Sequence, residues 1–183
     1  LTAESIQSYV DFFFTILENN MSLFMDLLDA YSTSQSNDLR KAIKDKLRES
    51  ADKMHYDVNI VKELFNAAAA DLPKKDKTVL IHLYLYKLSE KSRIPSNLVD
   101  PIKNQFKLTS DARYLIPIVP YLSEEEFKSD LPAILSLPAP ALSKAINGLF
   151  TTKKPPMSPD RFLIEIHKPR IAKEMKEKAV YAM

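Results

Sequence analysis

Gly148 is the only glycine in 183 residues, set against twelve prolines. Glycine supplies the positive-φ turns of tight hairpins and lets a backbone approach a phosphate closely. A chain with one glycine therefore argues against Gly-rich hairpins, phosphate loops and dinucleotide-binding folds. Amphipathic runs fill the rest, so the expected class is all-α. With 45% apolar and 27% charged residues, the composition is that of an ordinary globular protein with one sizeable core, and a single helical domain over 1–183 is expected.

Twenty-six basic residues face twenty-four acidic ones, a net charge of +2. A dedicated nucleic-acid-binding domain carries a larger basic excess, which favours protein partners over bare RNA. There is no cysteine, hence no disulfide and no thiolate metal site, which fits a reducing compartment. The longest apolar run, Thr78 to Tyr86, is too short to span a bilayer and contains His82. The start lacks the basic region of a signal peptide. Residue 1 is Leu, and the chain is expected to be a piece of a longer protein that continues past Met183.

In chain order, Ile6, Tyr9, Val10, Phe13, Ile16 and Leu17 mark a first helix. Asn19 and Asn20 break it before Leu23, Phe24, Leu27, Leu28 and Tyr31, giving a helical hairpin. Asn37 or Asp38 can cap the next helix, with Leu39, Ile43, Leu47, Ala51 and Met54 on one face. Its other face holds Arg40, Lys41, Lys44, Arg48 and Lys53 among Asp45, Glu49 and Asp52; interleaved acids make it read as a solvated face rather than an RNA-binding stripe. Val61, Leu64, Phe65 and Ala68 form a fourth helix closed by Asp71 and Pro73. Val79 to Leu88 is apolar nearly all round, the pattern of a central helix covered on several sides. Arg93 to Ser96 is a turn, and Leu98, Val99, Ile102 and Phe106 mark a helix whose start Pro101 blurs.

The stretch Arg113 to Phe150 organises the remainder. Thr109 or Ser110 can cap a helix carrying Asp111 in its first turn and Tyr114, Leu115, Ile118, Val119 and Leu122 inward. Pro117 and Pro120 lie inside it and should kink or end it. Ser123 and Glu126 form a capping box for a helix that buries Phe127, Leu131, Ile134 and Leu135 and is bent by Pro132. After Pro138 and Pro140 comes a helix striped by Leu142, Ala145, Ile146 and Leu149. Ser158 caps the next, with Pro159 at its first position and Phe162, Leu163 and Ile166 inward. Beyond Pro169, Ile171 to Met183 is a basic helix with Ile171, Met175, Ala179 and Tyr181 to Ala182 as an apolar side that nothing following covers. The total is about eleven helices of roughly 10 to 18 residues.

The run Arg113-Tyr-Leu-Ile-Pro-Ile-Val119, followed by the pair Leu131-Pro132 and an apolar helix with Asn147 before Leu149, resembles the symplekin C-terminal family. The resemblance continues through Ser158, Pro159, Leu163, Ile164 and His167, and weakly over Tyr84 to Val99. Gly148 departs from it, standing where relatives often carry a basic residue, and so does the short Thr151 to Met157 loop. Helical pairs recurring every 40 or so residues read as a HEAT-like α-solenoid. No repeat is visible in the letters, and the solenoid reading rests partly on the resemblance.

The resemblance implies a non-catalytic scaffold domain of the nuclear machinery that cleaves and polyadenylates pre-mRNA. It implies contact with the endonuclease subunit of the cleavage and polyadenylation specificity factor and its inactive paralogue, with cleavage stimulation factor as a further candidate. The family's N-terminal, phosphatase-binding region has no counterpart here.

The residues themselves suggest no catalytic, cofactor or metal site, no small-molecule substrate and no membrane partner. His55, His82 and His167 are scattered, and neither a phosphate loop, GxSxG nor HExxH is present. His167 beside Glu165 reads as a helix C-terminal histidine bonding nearby carbonyls rather than a general base. Glu124, Glu125 and Glu126 read as first-turn acids rather than a catalytic cluster. Phe12, Phe13, Phe14, Tyr84 and Tyr86 read as core rather than base-stacking platforms. Partner-facing residues are not distinguishable at this level. The rival function is direct RNA binding through Arg40, Lys41, Lys44, Lys153, Lys154, Lys168, Arg170 and Lys173; a vesicle or transport adaptor is a weaker third.

Overall fold

The computed structural model describes residues 2–51, 53–54, 57–70, 76–91, 94–152, 154–168, 171 and 173–182. His55, Asp71, Pro73, Lys153, Pro169 and Arg170, each given a role above, lie outside the described residues. Among the described residues there are ten α-helices, three 3₁₀ segments and no strand, the all-α helical-repeat class expected. The chain divides into two compact units, Leu1–Arg93 and Ile94–Met183.

The first unit contains α1 (Ala3–Leu17), a 3₁₀ turn (Met21–Leu23), α2 (Phe24–Thr33), α3 (Asn37–Ser50), α4 (Val58–Ala70) and α5 (Asp76–Lys91). Helix α1 packs on α3 and α3 on α5, the alternate-helix stacking of a helical repeat. Helix α5 also meets α2 and α4, the central position that its all-round apolarity predicts. Phe14, Phe24, Leu28, Leu47, Leu64, Leu80, Ile81 and Tyr84 are fully buried there, with the Phe24 and Tyr84 rings 5.2 Å apart. Ion pairs Lys46–Asp11 and Lys77–Asp29, each 2.6 Å, join α3 to α1 and α5 to α2.

Two details differ from expectation. Ser36, not Asn37 or Asp38, caps α3, its hydroxyl accepting from the Leu39 amide. The inward face of α1 is Ile6, Val10, Phe14 and Leu17, while Tyr9, Phe12 and Ile16 face outward. A helix apolar on both sides offers two self-consistent stripes, and periodicity does not say which one packs.

The second unit contains α6 (Ser96–Thr109), 3₁₀ segments Ala112–Tyr114 and Ile116–Tyr121, α7 (Glu124–Ser136), α8 (Ala139–Thr151), α9 (Pro159–Ile166) and α10 (Lys173–Tyr181). Helix α6 begins before Pro101 and runs through it. Ser110 ends that helix with a left-handed φ of 54° rather than starting another. Asp111 then caps the first 3₁₀ segment, accepting from the Arg113 amide at 3.1 Å. The helix expected over 111–122 is thus two 3₁₀ pieces, because Pro117 and Pro120 remove the donors that an α ladder requires. Its inward residues are nevertheless all buried.

Helix α8 packs on the second 3₁₀ segment, α7 on α8, and α10 on both α7 and α8. Ile171 and Ala179 are consequently buried within the unit, while Tyr181 is exposed. The apolar side of α10 has its own cover, contrary to expectation. Lys178 Nζ donates to the carbonyl of Leu137, the C-cap of α7, where a cation also suits the helix dipole.

Candidate protein-interaction surface

The site that emerges lies on α9. Ser158 caps this helix and Pro159 occupies its first turn, as expected. Phe162 points inward, its ring 6.2 Å from that of Phe127 and 5.8 Å from that of Phe150, which seats α9 against α7 and α8. Ile166 is buried on the same side.

The opposite side does not match expectation. Leu163 is 36% and Ile164 67% exposed, and with His167 and Lys168 they line an open, almost wholly apolar depression. Leu163 is therefore not a core residue. Residues 162 to 166 are apolar on every side but one, so more side chains compete for the interior than a single helix face can bury; the signal was present but ambiguous.

The polar groups around this depression are occupied. His167 Nδ1 lies 2.7 Å from the Leu163 carbonyl, and since a carbonyl only accepts, that nitrogen carries the hydrogen. This is the helix-terminal role expected for His167. Lys176 Nζ donates to the His167 carbonyl at 3.3 Å. Glu165 is buried, and Lys168 pairs with it at 2.6 Å. The carboxylate is thus engaged by a lysine, and the arrangement offers apolar contact rimmed by cations.

The acidic trio has the structural role expected of it. Ser123 and Glu126 complete the capping box of α7. Lys103 lies 2.8 Å from Glu126 and fastens α6 to it. Glu124 pairs with Lys128 at 2.5 Å and with Arg161 at 2.8 Å, tying α7 to α9; Lys128 leads the interactions that hold the Glu124 carboxyl below its usual range. Glu125 is exposed.

Several described members of the RNA-binding set are engaged within their own unit. Arg40 donates to the carbonyls of Ser34 at 3.0 Å and Ser32 at 3.2 Å and lies over the Tyr31 ring, fastening the α2–α3 link. Lys168 is engaged by Glu165, and Lys173 is 3.9 Å from Glu177. Lys41 and Lys154 are exposed and Lys44 is half-buried. Among the described residues no cluster of His, Asp and Glu could hold a metal, and no helix is long and apolar enough to cross a membrane. Of the aromatics expected in the core, Phe14 and Tyr84 are buried and Phe12 is not.

Comparison with known proteins gives one result within this unit. Residues 111–182 match the family model described as Symplekin tight junction protein C terminal. No curated protein and no solved structure gave a significant match.

Proposed function

From the match of residues 111–182 to the symplekin C-terminal family model, we propose that the chain is a non-catalytic scaffold domain of the nuclear complex that cleaves and polyadenylates pre-mRNA. Its partners on this reading are the endonuclease subunit of the cleavage and polyadenylation specificity factor and that subunit's inactive paralogue. The observation that carries the reading is the exposed Leu163–Ile164 depression, which lies inside the family-matched stretch. Its polar neighbours are already occupied, so binding there is by apolar burial. Interfaces take most of their energy from a few such buried anchors.

The experiment is co-purification of the chain with the C-terminal region of the endonuclease subunit, for the parent and for Ile164→Asp. Ile164 is far from the packed face, so the substitution should leave helicity and melting unchanged while capture falls by about tenfold or more. Binding that survives Ile164→Asp would move the contact elsewhere. A salt titration separates this reading from RNA binding. Apolar capture should change little between 50 and 200 mM salt, whereas neutralising several phosphates makes affinity fall by about 10³ or more.

A further inference from the structure

Ser158 is the only serine or threonine in the chain that a proline follows. The run Ser158-Pro159-Asp160-Arg161 sets a hydroxyl, a proline directly after it and a guanidinium three positions on. That order is the one proline-directed protein kinases read. Proline has no N–H, so an enzyme can cover it without stranding a donor, and the base at the third position is selected by charge.

The fold presents this run outward. Ser158, Pro159, Asp160 and Arg161 are all exposed, whereas Met157 just before them is buried and pins the loop. Ser158 is already extended, with φ −72° and ψ 157°, the conformation that a following proline favours. Its hydroxyl accepts from the Arg161 amide at 3.4 Å, a long bond. Arg161 reaches Glu124 at 2.8 and 3.0 Å through a side chain that is 65% exposed. The first turn of α9 can therefore open onto an enzyme without drawing a buried side chain out of the core.

Ser123 is the nearest rival, exposed and followed by Glu124, Glu125 and Glu126, an order that acid-directed kinases read. Its amide and hydroxyl are both engaged by Glu126, which also holds Lys103. Opening there undoes the capping box and the tie between α6 and α7 together.

We infer that Ser158 is a phosphorylation site for a proline-directed kinase acting with a magnesium-bound nucleoside triphosphate. The Ser158 Oγ attacks the γ-phosphorus, forming the new O–P bond. The bond from that phosphorus to the β–γ bridging oxygen breaks, the nucleoside diphosphate leaves, and the hydroxyl proton passes to the kinase's own base. The sequence and its exposure select the site; the N-terminus of α9 then accommodates the added negative charge. The modification falls on the helix that carries Leu163 and Ile164, and it does not depend on the scaffold reading.

The test incubates the folded chain with a recombinant cyclin-dependent kinase and magnesium ATP, and locates phosphate by peptide mass spectrometry. Phosphate is expected on Ser158. Ser158→Asn keeps a capping side chain and lacks the hydroxyl, so it should retain parental melting and take up none. Ser158→Thr keeps both cap and acceptor and should still be modified. Pro159→Ala should slow incorporation by about tenfold or more, and Arg161→Ala by about fivefold. Circular dichroism of the modified chain should match that of the parent. An unmodified chain under conditions that fully phosphorylate a control peptide overturns the inference. So does phosphate that persists in Ser158→Asn, or a rate indifferent to Pro159.

Discussion

The Lys103 ammonium donates to both carboxylate oxygens of Glu126, at 2.8 and 3.0 Å, while that carboxylate also accepts the Ser123 amide at 2.8 Å. One side chain thus closes the capping box of α7 and holds α6 against it. Lys103 first, and the Ser123 amide second, keep the Glu126 carboxyl below its ordinary range. A lowered folded-state value stabilises above the unfolded carboxyl's pKa of about 4.3, and the stabilisation is lost as pH falls through the folded value. Glu126→Gln should lower melting at neutral pH and flatten its fall below about pH 4. The side chain is 42% exposed, so solvent screening should keep the change below about 1 kcal/mol.

Leu131 and Leu163 make a matched pair. Leu131 is fully buried, and Leu131→Ala should cost roughly 2 to 5 kcal/mol in urea unfolding. Leu163 borders the open depression on α9, and Leu163→Ala should cost no more than about 0.5 to 1 kcal/mol. Equal losses would mean that the faces of α9 are reversed.

Gly148 lies inside α8 with no positive φ, and an added Cβ would meet Pro120 Cγ at an ordinary 3.8 Å. Gly148→Ala should therefore stabilise the chain by roughly 0.5 to 1 kcal/mol, from helix propensity and a less free unfolded state. Thermal unfolding of the two proteins checks this. A loss of stability would show that the groove between α8 and Pro120 admits no methyl group.

The Tyr84 hydroxyl is buried without a hydrogen-bond partner among the described residues, and burial pushes its pKa well above the usual tyrosine range. Removing an unsatisfied buried hydroxyl while keeping the ring relieves a desolvation cost. Tyr84→Phe should be neutral or stabilising, by up to about 1 kcal/mol. Chemical denaturation of the variant decides it, and a clear destabilisation would reveal a partner for that oxygen.

What was legible in the sequence was local. The Ser123–Glu126 box, the Ser158 cap and the carbonyl contact of His167 each depend on residues within four positions of one another. Single-stripe helices such as α8 also read correctly, because Leu142, Ala145, Ile146 and Leu149 admit one inward face. Legibility failed where two faces were apolar. Tyr9 competes with Val10 in α1, and Leu163 with Phe162 in α9; the choice depends on which neighbour packs there, a long-range fact. The proline-bearing stretch failed in a different way. Tyr114 to Leu122 has helical spacing and is buried as a helix would be, but its backbone is 3₁₀.

That last substitution has a metric consequence. A 3₁₀ segment rises about 2.0 Å per residue against about 1.5 Å for an α-helix, so the six residues Ile116–Tyr121 extend about 12 Å where an α-helix would extend about 9 Å. Pro117 and Pro120 withhold the amides that winding into an α ladder would use. The pair therefore works as a spacer of set length, giving α6 and α7 a separation that the backbone has little freedom to shorten.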